Sequence, residues 1–163
     1  MLAPPRVAIA DRLRTARLVA LGVPLALLGG ALLSEYVGKL YPCEMCWWQR
    51  YPHGVAILLA IGALLSPLAA PRTRLMTLLA ALAIAVSGAI GVFHAGVEYG
   101  WWEGLTTCTT TGATSLEEIM NVPLIRCDQV QWSFAGISLA GFNALFSLGG
   151  AVLILILARR KTV

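Results

Sequence analysis

The stretch FAGISLAGFNALFSLGGAVLILILA, Phe134 to Ala158, runs for twenty-five residues without a charge. About 20 apolar residues suffice for a helix to cross a bilayer, so this run predicts a membrane span over 134–158. Asn143 is its polar exception, and it is expected to face other helices or a ligand rather than lipid. Three further runs precede it. Ala16 to about Leu33 predicts a span over about 16–36, with Pro24 inside it. Neighbouring helices can re-satisfy the carbonyl that such a proline frees. Pro52 to about Leu68 is short. Its helix is expected to begin earlier, near Cys43, with Pro52 kinking it, giving a span over about 45–67. Leu75 to Ala95 is rich in Ala and Gly, small residues that let helices approach closely in lipid.

Composition agrees. Of 163 residues, 58% are hydrophobic and 12% charged, against about 45–50% and about 25% in soluble domains. Mean hydropathy is +0.78. The length suits one domain, 1–163. The expected fold class is therefore an all-α integral membrane protein, a four-helix transmembrane bundle. This excludes a nucleic-acid binder, despite a net charge of +4. A cleaved signal peptide is the alternative for the first run, since arginines precede it. Ser34-Glu35-Tyr36 is a poor cleavage site, so a retained span is expected.

The charges divide by segment. Arg6, Arg12, Arg14, Arg17, Arg72, Arg74, Arg159, Arg160 and Lys161 lie with one acid, Asp11, on one side of the spans. On the other lie Lys39, Arg50 and Arg126 with seven acids: Glu35, Glu44, Glu98, Glu103, Glu117, Glu118 and Asp128. The sides carry +8 and −4. The positive-inside rule puts both termini in the cytoplasm. The outer loops then cover about 37–44 and 96–133, and hold all four cysteines.

An oxidising compartment is where disulfides persist. Cys43 and Cys46 form a C-x-x-C between the first two spans, and Cys108 and Cys127 lie in the second outer loop. Four cysteines allow three pairings. A disulfide closing so short a loop as Cys43–Cys46 adds little stability, whereas C-x-x-C pairs at helix N-termini have lowered thiol pKa values and redox activity. Pro42 fits a helix start there, whose dipole favours a thiolate. Half of a zinc site is the alternative. Cys108 and Cys127 are too far apart in sequence to complete one, so no metal is expected. Taken alone, a Cys108–Cys127 bond staples its loop. Between them, Ser115-Leu116-Glu117-Glu118 reads as a capping box, and Leu116, Ile119 and Met120 share one helical face. A short helix lying in the membrane interface is expected there, stopped by Pro123.

Two cysteine pairs, one beside the bilayer and one on an aqueous loop, form a path for thiol–disulfide exchange. The acceptor at its membrane end must take two electrons and dissolve in lipid, and a quinone does both. Arg50 lies one helical turn after Cys46, where snorkelling is one explanation and stabilising a thiolate or a reduced quinone oxygen is the other. Trp47, Trp48 and Tyr51 suit an interfacial aromatic belt. His94, near the outer end of the third span, reads first as a satisfied helix-end histidine and second as a donor to a quinone carbonyl.

Pro42-Cys43-Glu44-Met45-Cys46-Trp47-Trp48-Gln49-Arg50 resembles the signature of the DsbB family, bacterial inner-membrane proteins that make disulfides and pass the electrons to quinone. Cys127-Asp128, Trp132, Phe134 and Gly136, followed by Asn143, also look familial. The resemblance covers nearly the whole chain and implies residue roles. Cys108 would form a mixed disulfide with a DsbA-like periplasmic thioredoxin-fold partner, and Cys127 would then exchange with Cys43. Cys46 would face ubiquinone or menaquinone, assisted by Arg50. The loop around Cys108 is shorter and richer in Thr than the familiar pattern. The implied protein is a multi-pass inner-membrane thiol oxidase, in contact with lipid and expected to be a monomer. Two alternatives are a quinone reductase resembling vitamin K epoxide reductase, and a non-enzymatic scaffold stapled by its disulfides.

Overall fold

The computed structural model of the chain describes residues 5–105 and 125–159, with side chains from residue 10 onward. Among the described residues it has four helices: α1 Pro5–Tyr36, α2 Glu44–Leu65, α3 Pro71–Glu98 and α4 Leu139–Ala158. Cys108 and the helix expected around Leu116–Met120 lie outside the described residues. Three helices, α1 from Ala10, α3 and α4, are long and apolar enough to cross a membrane. The other, α2, has 22 residues, and its first half carries Gln49, Arg50 and His53, all buried.

The packing is that of helices in lipid. The core between them is made of small side chains: Ala16, Ala20, Ala56, Ala60, Ala80 and Ala151 are almost fully buried, with Ile84 and Ile154 filling the gaps. Large apolar side chains point outward instead, Leu58 at 72% exposure and Leu145 and Phe146 each at 59%. Water would oppose such exposure, while lipid tails are as apolar as leucine and do not.

Arginines gather at one end of the bundle. Arg17 Nη1 donates to Ala63 O and Ser66 O at 2.9 and 3.2 Å. Arg12 Nη2 donates to Ile156 O at 2.7 Å, and Arg74 Nε to Ala158 O at 3.0 Å. These acceptors are closing carbonyls of α2 and α4, which lack helical partners and carry the negative end of the dipole. Residues grouped by charge alone thus share a structural task.

The run 134–158 is not one continuous helix. Ser133–Phe134 and Ile137–Ser138 form a small antiparallel hairpin, β1 and β2, pairing Ser133 with Ser138 and Phe134 with Ile137. Its turn residues Ala135 and Gly136 have φ of 52° and 78°, the left-handed pair that a two-residue hairpin turn demands. Ser138 then caps α4, its Oγ accepting from Gly141 N at 3.1 Å. Phe-Ala-Gly-Ile-Ser is as apolar as the helix it precedes, so hydropathy could not show the break. Tyr99, just past α3, holds the hairpin. Its OH donates to Gly136 O at 3.0 Å and accepts from Ser138 N at 2.8 Å.

α3 and α4 approach each other closely. A Cβ on Gly91 would lie 3.0 Å from Ala140 O, Ala144 N and Asn143 Nδ2, two of them backbone atoms that cannot turn aside. Gly149 has nothing within 4 Å. Gly91→Ala is expected to destabilise the bundle by about 1–3 kcal/mol, and Gly149→Ala to leave it unchanged or slightly more stable. Thermal unfolding of both variants in detergent checks this.

Candidate functional site

The site is assembled where α2 begins. Cys43 is the N-cap residue of α2, extended at φ −75° and ψ 174°. Its Sγ takes the place that a Ser or Asp oxygen usually holds, accepting from Cys46 N at 3.3 Å. The two sulfurs of the C-x-x-C lie 2.8 Å apart. Cys127 joins them. It is fully buried and packs in one cluster with Cys43, Met45, Val97 and Ile125, against Cys46, Trp48 and Phe93. Three of the four cysteines therefore meet in one cluster, although Cys46 and Cys127 lie eighty-one positions apart in the chain. The pKa of the Cys43 thiol is raised, first by the Cys127 thiol against it, then by Cys46 and by burial. Sulfurs this close cannot all carry charge.

His94 is not simply a satisfied helix-end histidine. It is 2% exposed, and its Nε2 lies 3.5 Å from Cys43 Sγ. Its Nδ1 is 2.9 Å from Gln49 Nε2. The same Gln49 nitrogen donates to Met45 O at 3.0 Å. A carbonyl oxygen only accepts, so the Gln49 amide has one orientation. Gln49 then donates to His94 Nδ1, and the proton of the neutral ring sits on Nε2, beside Cys43 Sγ and the Cys127 backbone. Glu98 Oε1 is 3.8 Å from that nitrogen. Cys43, Cys46 and His94 also offer three ligand atoms within 4.8 Å of one another, so a thiophilic metal ion would compete for the sulfurs that exchange requires. Sequence spacing gave no sign that a histidine joins the C-x-x-C.

Arg50 is 8% exposed and does not snorkel to water. Its Nη1 is paired with Glu35 Oε2 of α1, its Nη2 donates to Ala31 O at 3.2 Å, and its guanidinium lies 4.8 Å from the Trp47 ring centroid. Trp47 and Tyr51 stack at 6.2 Å on the exposed side.

A second polar group, which the sequence reading passed over except for Asn143, lies one turn deeper. Asn143 Nδ2 donates to Gln49 Oε1 at 2.8 Å and to Ser87 O at 3.2 Å. Its Oδ1 accepts from Ser147 Oγ at 2.9 Å and lies 2.9 Å from His53 Nε2. Ser87 Oγ donates to Gln49 O at 2.8 Å. A chain of buried hydrogen bonds thus runs from Cys43 through His94, Gln49 and Asn143 to His53, tying α2, α3 and α4 together.

Beside this chain lies a cavity of about 250 Å³, bordered by Cys46, Arg50, His53 and His94 with apolar walls that include Leu27 and Phe142. A cavity of about 150 Å³ holds a benzene ring, so this one has room for a substituted ring.

The family model described as Disulfide bond formation protein DsbB matches residues 13–157. The chain belongs to the DsbB family. A DsbB relative from Shewanella sp. (strain MR-4), Disulfide bond formation protein B, is 28% identical, with the alignment covering 88% of this chain and 85% of that one. The Polaromonas sp. protein of the same name is 31% identical over 83% and 87%. An uncharacterised Rickettsia prowazekii protein is 23% identical over 85% and 83%. No solved structure matches the chain. Its apolar helices and its DsbB membership make it a membrane disulfide bond formation protein, with disulfide-generating oxidoreductase activity.

The proximity of Cys43 and Cys127 has a direct consequence. In a protein carrying Cys46→Ser and Cys108→Ser, mild oxidation is expected to join Cys43 to Cys127. Peptide mass spectrometry then finds the two linked, and two free thiols after oxidation would contradict the arrangement.

Proposed function

We propose that this DsbB protein oxidises a periplasmic DsbA-like thioredoxin-fold dithiol and passes the two electrons to a membrane quinone. The observation that carries the reading is the shared wall of Cys46 and Arg50 along a ring-sized cavity, with Cys127 packed against Cys43 on the other side. A reduced partner attacks Cys108, bonded in the resting protein to Cys127, and Cys127 leaves as a thiolate. Cys127 then attacks Cys43, forming a Cys43–Cys127 bond and breaking Cys43–Cys46. Cys46 departs as the thiolate facing the cavity, where the Arg50 guanidinium and the helix N-terminus favour its charge. His94 Nε2–H, aimed at Cys43, steadies that sulfur whenever it carries charge. The partner's second thiol then attacks the partner–Cys108 bond and releases the partner as a disulfide, and the freed Cys108 thiolate attacks Cys127, restoring Cys108–Cys127 and freeing Cys43 as a thiolate. A quinone held in the cavity would supply the two-electron, two-proton acceptor that lets the Cys43 and Cys46 thiols re-form their bond, at about 1.4 kcal/mol for each 30 mV of potential difference.

The residues fit such a ring. Apolar walls suit its body, and Arg50 offers a fixed donor to an oxygen. α2 serves as the fourth span, its Gln49, Arg50 and His53 held inside the bundle rather than facing lipid. On this reading the protein is a multi-pass monomer of the bacterial inner membrane, with cytoplasmic termini and periplasmic cysteines.

Purified protein, a reduced thioredoxin-fold dithiol and a short-chain quinone test the reading. Cys46→Ala is expected to reduce turnover to background, and undiminished turnover would refute the assignment. Arg50→Gln is expected to raise the quinone KM about tenfold, roughly 1.4 kcal/mol of lost binding. Steady-state kinetics followed by quinone absorbance measure both.

A further inference from the structure

A second cavity, of about 190 Å³, lies at the end of the bundle away from the cysteines. Arg12 of α1, Arg74 of α3 and Arg159 just past α4 border it, with Leu13, Leu68 and Leu157 as an apolar wall. It exceeds the about 150 Å³ that accommodates a benzene ring, so a phosphodiester fits within it. The disulfide chemistry gives this cavity no task.

Its charges are held in place and left uncompensated. Arg12 Nη2 donates to Ile156 O at 2.7 Å and Arg74 Nε to Ala158 O at 3.0 Å. A guanidinium has several N–H donors, so these bonds fix each group and leave most of its donors unspent. Arg12 and Arg74 are half-buried, while Arg159 is exposed and makes no hydrogen bond among the described residues. No carboxylate answers them. The ion pairs among the described residues are Arg50–Glu35, His94–Glu98 and Arg126–Asp128, and Asp11 is exposed. The closing carbonyls of α4 supply only about half a negative charge. α3 also starts at this cavity, and its N-cap Ala70 gives the first turn no side-chain acceptor. The positive end of that helix dipole therefore adds to the arginines.

A positive rim joined to an apolar wall selects among anions. A free inorganic ion gains nothing from the leucines, whereas a phospholipid carries its phosphodiester directly above apolar chains. The cavity also lies where α1, α3 and α4 reach the arginine-rich end of the bundle, and basic pockets between spans at a membrane surface suit anionic headgroups. We infer that this cavity binds the phosphodiester of an anionic phospholipid. Arg74 and Arg159 donate to its oxygens, and Leu13, Leu68 and Leu157 lie against its glycerol and first chain carbons. Such arginine–phosphate bonds are charge-assisted and stronger than neutral ones. A headgroup with a cation of its own is disfavoured, because that cation would meet three guanidiniums. A lipid seated there bridges α1, α3 and the end of α4.

The test titrates the full-length protein, in a non-ionic detergent, with dioleoyl phosphatidylglycerol and separately with dioleoyl phosphatidylcholine. Native mass spectrometry counts the bound lipid. Phosphatidylglycerol is expected to bind the wild type about tenfold more tightly than phosphatidylcholine, and millimolar inorganic phosphate to leave it bound. Arg74→Gln and Arg159→Gln are each expected to weaken phosphatidylglycerol binding about fivefold, roughly 1 kcal/mol per arginine. Arg159→Gln breaks no hydrogen bond among the described residues, so it decides the matter if Arg74→Gln does not fold. Arg72→Gln removes the same charge from an exposed residue that does not border the cavity, and is expected to leave binding unchanged. Equal binding of the two lipids, or an Arg72→Gln loss as large as that of Arg159→Gln, would overturn the inference. Displacement of the lipid by millimolar phosphate would make this a site for the free ion and overturn it too.

Discussion

The structure depends on a demand made by the Asn143 carboxamide. Set inside a helix otherwise apolar enough to cross a membrane, it has no water to satisfy it. It meets the demand by bonding Gln49 of α2, Ser87 of α3 and Ser147 of its own helix, with His53 against the same oxygen. These bonds fix how α2, α3 and α4 cross, because a buried polar group left unpaired is costly. Gly91 makes the crossing possible by leaving room for Asn143 and the α4 backbone. The chemistry stands on this frame. Gln49 orients His94 at Cys43, and Asn143 and Ser87 orient His53 along the cavity. One network therefore reaches both the sulfurs and the cavity beside them.

Charge placement follows a similar economy. Arginines at one end of the bundle close the carbonyl ends of α2 and α4. At the other end Arg50 is held between Glu35, the Ala31 carbonyl and the Trp47 ring. A guanidinium paired on one side with a carboxylate is less costly to bury than a lone one, and it remains at the cavity wall. Glu35 thus positions Arg50, a task that topology counting, which used it only as an outer-side acid, had no means of assigning.

Much of this was legible in the chain itself. Helical runs and the helix start near Cys43 follow from local pattern, since hydropathy and capping are local properties. Asn143 was recognisable as a residue needing partners. What escaped was non-local or masked by composition. Nothing in the spacing of Gln49, His53, Ser87 and His94 tells that four polar residues on two helices interlock, because each alone resembles an isolated exception in an apolar run. The hairpin at 133–138 escaped because its residues are as apolar as the helix after it, and the turn depends on two positive φ angles that hydropathy does not register. Cys127 joining Cys43 was implied only by family resemblance, since loop closure over such a distance leaves no local mark.

The central claim is that the frame, rather than the cavity wall alone, sets the site. Ser87 is the residue that isolates it. Its side chain is fully buried at the centre of the network, yet it borders neither the cavity nor the sulfurs. The most direct measurement is the quinone dissociation constant of folded Ser87→Ala beside that of the wild type. The account predicts affinity weakened about fivefold, roughly the 1 kcal/mol of one lost buried hydrogen bond. A dissociation constant equal to that of the wild type would contradict it.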